Sequence, residues 1–263
     1  MEGKSNKILI IKPMLLILIL FTQISITVAS SNQASVQKNF QDLLYRAYVE
    51  NRMHLWESTL QAMEQEYRIN PGSELLYDVV LAQYGLAGYY LGIEETSKAS
   101  ALLKRSDSYI KELESTRGYE AEAKLFRAAY YAYRIAINPL RSIQFGRASG
   151  RLIDEALDMQ TSYPRGFTEK GNMLFYAPSM LGGSKTGSIE YYKKAVEMFE
   201  KDLQNNHRWL YLSTLVFLAN AYSQTGNAAD AFKTLEKALD YEPGFLWIKE
   251  ELLPDLQKRA DTR

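Results

Sequence analysis

From Ser35 onward, apolar residues recur at three- and four-residue steps, and no run alternates in the manner of a strand. The first predicted helix sets Val36, Phe40, Leu43, Leu44 and Ala47 on one face. A second, from Met53 to Arg68, carries Trp56, Leu60, Met63 and Tyr67 on one stripe. Asn70-Pro71-Gly72 stops it, because proline removes a donor and glycine accepts the left-handed cap. Ser73 is a good N-cap for a third helix running to Leu91; after the break at Gly92, a fourth spans Thr96 to Leu113. The fifth, Tyr119 to Ile137, ends at Asn138-Pro139, since the residue before proline is driven out of helical geometry. Further helices are expected over Ser142–Gln160, Gly166–Tyr176 and Gly187–Leu203, with two more inside Trp209–Pro243. A last one, Phe245 to Arg259, has an apolar side (Phe245, Ile248, Leu252, Leu256) suited to capping an open end, and Pro254 predicts a kink or early stop within it. The pattern therefore predicts an all-α fold: one domain over residues 35–263, with about five helix pairs and a C-terminal helix.

The first thirty residues read differently. Lys4, Lys7 and Lys12 precede the apolar run MLLILILFTQISITVA, and the small residues Ala29, Ser30 and Ser31 follow. A basic start, a short apolar stretch and a small-residue end describe a secretory signal peptide over residues 1–30. Thr22, Gln23 and Ser25 leave the run short for a membrane span; the alternative is an uncleaved membrane tether. Either way the expected location is outside the cytoplasm, periplasmic or extracellular.

Charge narrows the partners. Lys+Arg and Asp+Glu both total 31, and removing the signal leaves 28 basic and 30 acidic residues, a net charge of about −2. Such a balance gives no reason to expect nucleic acid, and a membrane partner is expected only if the N-terminal segment stays attached. With no cysteine, a disulfide framework, a thiolate metal site and a cysteine nucleophile are excluded.

Within WLYLSTLVFLANAYSQTGNAADAFKTLEKALDYEP, Leu218, Ala219 and Tyr222 precede the turn at Gly226. Ala231, Leu235 and Ala238 follow on the second helix, and Pro243 ends it. Small residues sit where two helices cross closely, larger ones fill between them, and glycine turns the chain. This stretch resembles the tetratricopeptide repeat, a 34-residue helix–turn–helix. Leu86, Ala87, Tyr90, Ala99 and Leu103 keep the same spacings, with Ser106 in place of the late alanine; Ala156, and Phe175 with Tyr192 and Ala195, mark looser copies. Ser106, Ala156, Ala195 and Ala238 are 50, 39 and 43 residues apart, so the array is divergent. The resemblance implies an α-solenoid closed by a capping helix.

One loop stands out, with Pro178, Leu181, Gly182 and Gly183 before a short polar run. It also resembles tetratricopeptide-like envelope proteins, such as the helical partner subunits of TRAP-type transporters. Read for its backbone alone, Gly182 and Gly183 supply positive φ so that an enlarged turn can fold back.

Candidate chemistry is sparse. Gly182–Gly187 fails as a phosphate loop, because Ser184 precedes Lys185 and Ser179 stands where the first glycine belongs. His54 and His207 have no carboxylate or second histidine at one-turn spacing, and Gly-x-Ser-x-Gly is absent. The reading is a non-enzymatic protein with no cofactor and no metal. In this architecture the first helix of each pair lines a concave groove. Projection of the repeat places Tyr84, Tyr131, Arg134, Met173, Ser213, Asn220 and Gln224 there, where tyrosine offers apolar contact plus a hydroxyl and Asn220 could hold a backbone amide. The expected function is an exported scaffold binding a protein or peptide partner. The alternative is a small-molecule binding component of an envelope transport system.

Overall fold

The computed structural model describes residues 35–161, 163–202 and 207–261. The expected signal segment and its cleavage region lie outside the described residues. Two compact units divide the chain, Met1–Phe40 and Gln41–Arg263; residues 35–40 of the first are helical, and the second carries the helix pairs. The helices are α1 (residues 35–49), α2 (Met53–Ile69), α3 (Ser73–Gly92), α4 (Thr96–Glu114), α5 (Glu120–Ile137), α6 (Ser142–Met159), α7 (Pro164–Tyr176), α8 (Lys185–Glu200), α9 (Arg208–Gln224), α10 (Ala228–Tyr241) and α11 (Leu253–Asp261). No strand occurs among the described residues, and none of their helices is long and apolar enough to cross a membrane.

Local chemistry sets the ends. Pro164 opens α7 two residues earlier than the pattern suggested, since a first-turn position has no helical partner for the missing N–H. Ser184 caps α8 by accepting from the Gly187 amide, and Asn227 caps α10 by accepting from that of Asp230. Pro254 does not stop the last helix, which runs on to Asp261. It follows a π-helical turn over Ile248–Leu252, whose wider winding accommodates the missing donor, and α11 continues.

Helices pair as α3/α4, α5/α6, α7/α8 and α9/α10. At the crossings Ala87, Ala99, Ala156, Ala195, Ala219, Ala231 and Ala238 are all buried. Ser106 substitutes for an alanine without leaving a buried donor unsatisfied, because its hydroxyl donates to the Leu102 carbonyl at 2.8 Å. The leading helices α3, α5, α7 and α9 pack on one another in succession.

The array then closes on itself. Trp209 at the start of α9 meets Trp56 of α2 edge to face, with ring centroids 5.1 Å apart. Ser213 donates to the Tyr48 hydroxyl at 2.9 Å, Tyr45 donates to Glu242 at 2.7 Å, and Phe245 lies 5.0 Å from the Tyr48 ring. The C-terminal segment thus seals a junction between the first and last helices rather than an open end, with Phe245, Ile248 and Leu256 buried. Gly85 makes the junction possible, since a Cβ there would lie 2.6 Å from the Trp56 ring and 3.1 Å from that of Trp209.

Truncating Trp209→Ala is expected to cost about 3–5 kcal/mol, and overpacking by Gly85→Ala about 1–3 kcal/mol. Urea unfolding midpoints report both; unchanged midpoints would show that the junction contributes nothing to stability.

Candidate functional site

Where α3, α5 and α7 converge, the interior holds charge. Arg165 is 2% exposed, with its guanidinium 3.7 Å from the Phe126 ring centroid and 5.3 Å from that of Tyr84. Glu169, one turn on, approaches it at 3.9 Å. None of the guanidinium nitrogens, nor Glu169 Oε1, makes a well-formed hydrogen bond. Tyr84 stacks on Tyr133 with centroids 5.6 Å apart, and Tyr77 and Phe126 complete the aromatic wall. Burial pushes the Tyr77, Tyr84 and Tyr133 phenols well above their ordinary range. Burial also raises the Glu169 carboxyl, against the pull of Arg165. For Arg165 itself burial works downward, but Tyr163 and Glu169 outweigh it, so the guanidinium stays charged.

A second polar group adjoins the first. Gln41 donates to Asp78 Oδ2 at 2.8 Å, and His207 Nε2 lies 3.5 Å from Asp78 Oδ1 with its ring edge-on to Tyr77. Gln41, Leu44, Asp78, Leu81, His207 and Trp209 line a partly open cavity of about 10 Å³, the space of one water. Among the described residues no three His, Asp or Glu groups could hold a metal ion.

The residues expected along a groove are dispersed. Tyr84 and Ser213 are 6% and 8% exposed, inside the closed array rather than on an open surface. On α5 the inward face is Phe126, Tyr130 and Tyr133, all within the aromatic wall. Tyr131 instead stacks on Phe145 of α6 at 4.7 Å, and Arg134 pairs with Asp107 of α4 at 2.6 Å. The register slipped because α5 is apolar over most of its circumference. Met173 packs, partly buried, against the core shared by α5 and α6. Asn220 and Gln224 end up on the surface together, linked by a 3.3 Å hydrogen bond, and Lys185 bonds the Gln224 amide.

That last contact joins the unusual loop to the end of α9. Pro178 accepts from the Leu181 and Gly183 amides at 2.8 and 3.1 Å, closing a short turn. Gly182 has φ of +88°, as expected, but Gly183 is needed for a different reason: a Cβ there would sit 1.8 Å from the Ala177 carbonyl oxygen. Met180 and Leu181 project outward, 89% and 52% exposed.

The architecture matches known proteins. A tetratricopeptide repeat family model fits residues 212–245. The HusA haemophore from Porphyromonas gingivalis superposes with a TM-score of 0.61 at 19% identity, over 73% of this chain and 94% of that one. A thermophilic TPR protein in Thermus thermophilus superposes with a TM-score of 0.53 at 17% identity, over 86% of this chain and 97% of that one. The chain is a tetratricopeptide-like helical-repeat protein. No curated protein matches it by sequence.

In this tetratricopeptide-like array Arg165, Glu169, Asp78 and His207 are the residues that sequence reasoning passed over. Arg165 and Glu169 have the spacing of an ordinary surface pair, and Asp78 is far from His207 along the chain. Burial, with the Arg165 charge adding to it, lowers the His207 pKa to about 4 from 6.5. The unfolded chain binds a proton there near pH 6.5. The folded chain does so only near pH 4, so stability falls as pH drops between the two and the loss is complete below them. The expected loss is roughly 3 kcal/mol at most, and His207→Gln flattens that part of a stability–pH curve. The Asp78 carboxylate pulls the other way; a protein that gains stability over this range would show that Asp78 prevails.

Proposed function

We propose that this protein is an exported, non-enzymatic scaffold that binds a protein or peptide partner in the cell envelope. The supporting observation is the repeat architecture, in which rigid helix pairs present surface residues rather than reacting groups. The basic start and short apolar stretch of residues 1–30 support export. Because the inner helices close around an aromatic core, the partner surface lies on the outer corner, where Asn220 and Gln224 meet Lys185. Their amides and ammonium can pair with a peptide backbone and a carboxylate. With the protein immobilised and envelope extract passed over it, Asn220→Ala/Gln224→Ala should recover at least about tenfold less partner, as the loss of two hydrogen bonds implies. Helicity should be unchanged. Equal recovery would sink the assignment.

A second reading, a small-molecule binding component of an envelope transport system, is supported by one observation: a protein of the same fold is named a haemophore. The cavity lined by Asp78 and His207, of about 10 Å³, is far too small for such a ligand, and this reading places a planar apolar molecule on the exposed ring of Tyr176. Titration with haemin, followed by its absorbance, should then give saturable binding weakened by Tyr176→Ala. Absence of any spectral change removes this reading.

A further inference from the structure

The turns joining the two helices of each pair share one edge of the array. Met173 of α7 packs on the α5–α6 core and lies beside Gly150 of α6, and Lys185 reaches the end of α9. The α5–α6 turn, the 3₁₀ segment Pro139–Arg141, and the α7–α8 turn, the 3₁₀ segment Ser179–Leu181, are therefore neighbours on that edge. Among the described residues nine large apolar side chains are exposed, and Ile93, Leu140, Ile143, Tyr176, Met180 and Leu181 all lie at or beside such turns. Leu140 and Met180, at 92% and 89% exposure, stand on the turn tips. They project from the surface as knobs.

The charge around these knobs is one-sided. Residues 135–153 contain Arg141, Arg147 and Arg151 and no carboxylate; residues 170–189 contain Lys170 and Lys185 and no carboxylate. Arg151 and Lys170 face Glu155 and Asp154, whereas exposed Arg141 and Arg147 have no acidic partner among the described residues. Ile143 and Arg147 are one turn apart on α6, Leu140 stands on the 3₁₀ turn before it, and Tyr176 has an apolar ring with a polar tip. Projecting aliphatic side chains, an interfacial tyrosine and unpaired arginines are complementary to one kind of surface, a bilayer carrying anionic headgroups. We infer that this protein docks peripherally on an anionic membrane through the Leu140–Ile143 and Met180–Leu181 tips, with Arg141 and Arg147 on the headgroups. The neutral balance of the whole chain conceals this segregation.

Co-sedimentation of the exported form, as recovered from cells, with vesicles of phosphatidylcholine with and without phosphatidylglycerol tests the inference. Binding should be at least about tenfold stronger to the anionic vesicles and should weaken as salt is added. Arg141→Gln/Arg147→Gln should lower it about thirtyfold, from about fivefold for each basic residue near an anionic surface. Leu140→Asp/Met180→Asp should lower it at least about tenfold, on the order expected when buried apolar carbons are lost. All four positions are exposed, so circular dichroism should match the unaltered protein. Equal binding to both vesicle types, no binding to either, or binding that survives both double variants overturns the proposal; the last would assign attachment to the N-terminal segment. Recovery of a protein partner by the Asn220–Gln224 corner is read separately and does not depend on this result.

Discussion

Two tryptophan rings meeting edge to face decide what kind of repeat protein this is. Trp56 is held in place by its indole N–H, which donates to the Ala82 carbonyl at 3.0 Å, and Trp209 lodges against it over the gap left by Gly85. With that contact made, the start of α9 meets side chains of α1 and α2, and the aromatic side chains around it are buried. Tyr84, Phe126, Tyr130 and Tyr133 then contribute burial and ring-on-ring contact, each pair adding about 1 kcal/mol beyond its area. These aromatic side chains of α3 and α5 pack against one another in the interior.

Closure also explains the Arg165 environment. A guanidinium that far from water needs compensation, and here it comes mainly from the faces of Phe126 and Tyr84, with Glu169 at a long 3.9 Å. Such a pair is weak evidence of stabilisation, because desolvating two charges offsets most of their attraction. Its consequence is positional. Arg165 touches side chains from α3 and α5 while belonging to α7, so the three inner helices converge on a group that tolerates few alternatives. His207 adds a constraint at the neighbouring cluster, where burial keeps it neutral beside Asp78.

Helices, their pairing and the repeat were legible in the sequence because each rests on local chemistry: apolar steps of three and four, proline and glycine stops, and small residues at fixed intervals. The buried Ala219, Ala231 and Ala238 stand where the spacing placed them. Closure was not legible, since it depends on contacts such as Trp56 with Trp209 and Tyr45 with Glu242, which lie far apart in the chain. The placement of the groove residues was not legible for a related reason. A helix such as α5, apolar on most sides, has no unique inward face until its neighbours choose one, and they chose Tyr130 and Tyr133 over Tyr131 and Arg134. Gly183 was singled out for positive φ, but its role is to let backbone approach backbone.

Net charge says little about local surfaces, for a reason that is general to helical arrays. Each helix pair carries its own acidic and basic residues, and pairing along helix faces cancels most of them, as Lys124 with Glu155 and Arg127 with Glu114 do here. What survives cancellation collects at turns, where there is no opposite helix face to supply a partner. In this chain the turns that follow α5 and α7 contain arginine, lysine and large aliphatic residues without a single carboxylate. A field acting beyond a Debye length of about 8 Å sees the chain as neutral, but a surface in contact with those two turns meets mainly their positive charges. Close to those two turns Arg141, Arg147 and Lys185 therefore set the local charge, whatever the total charge of the protein.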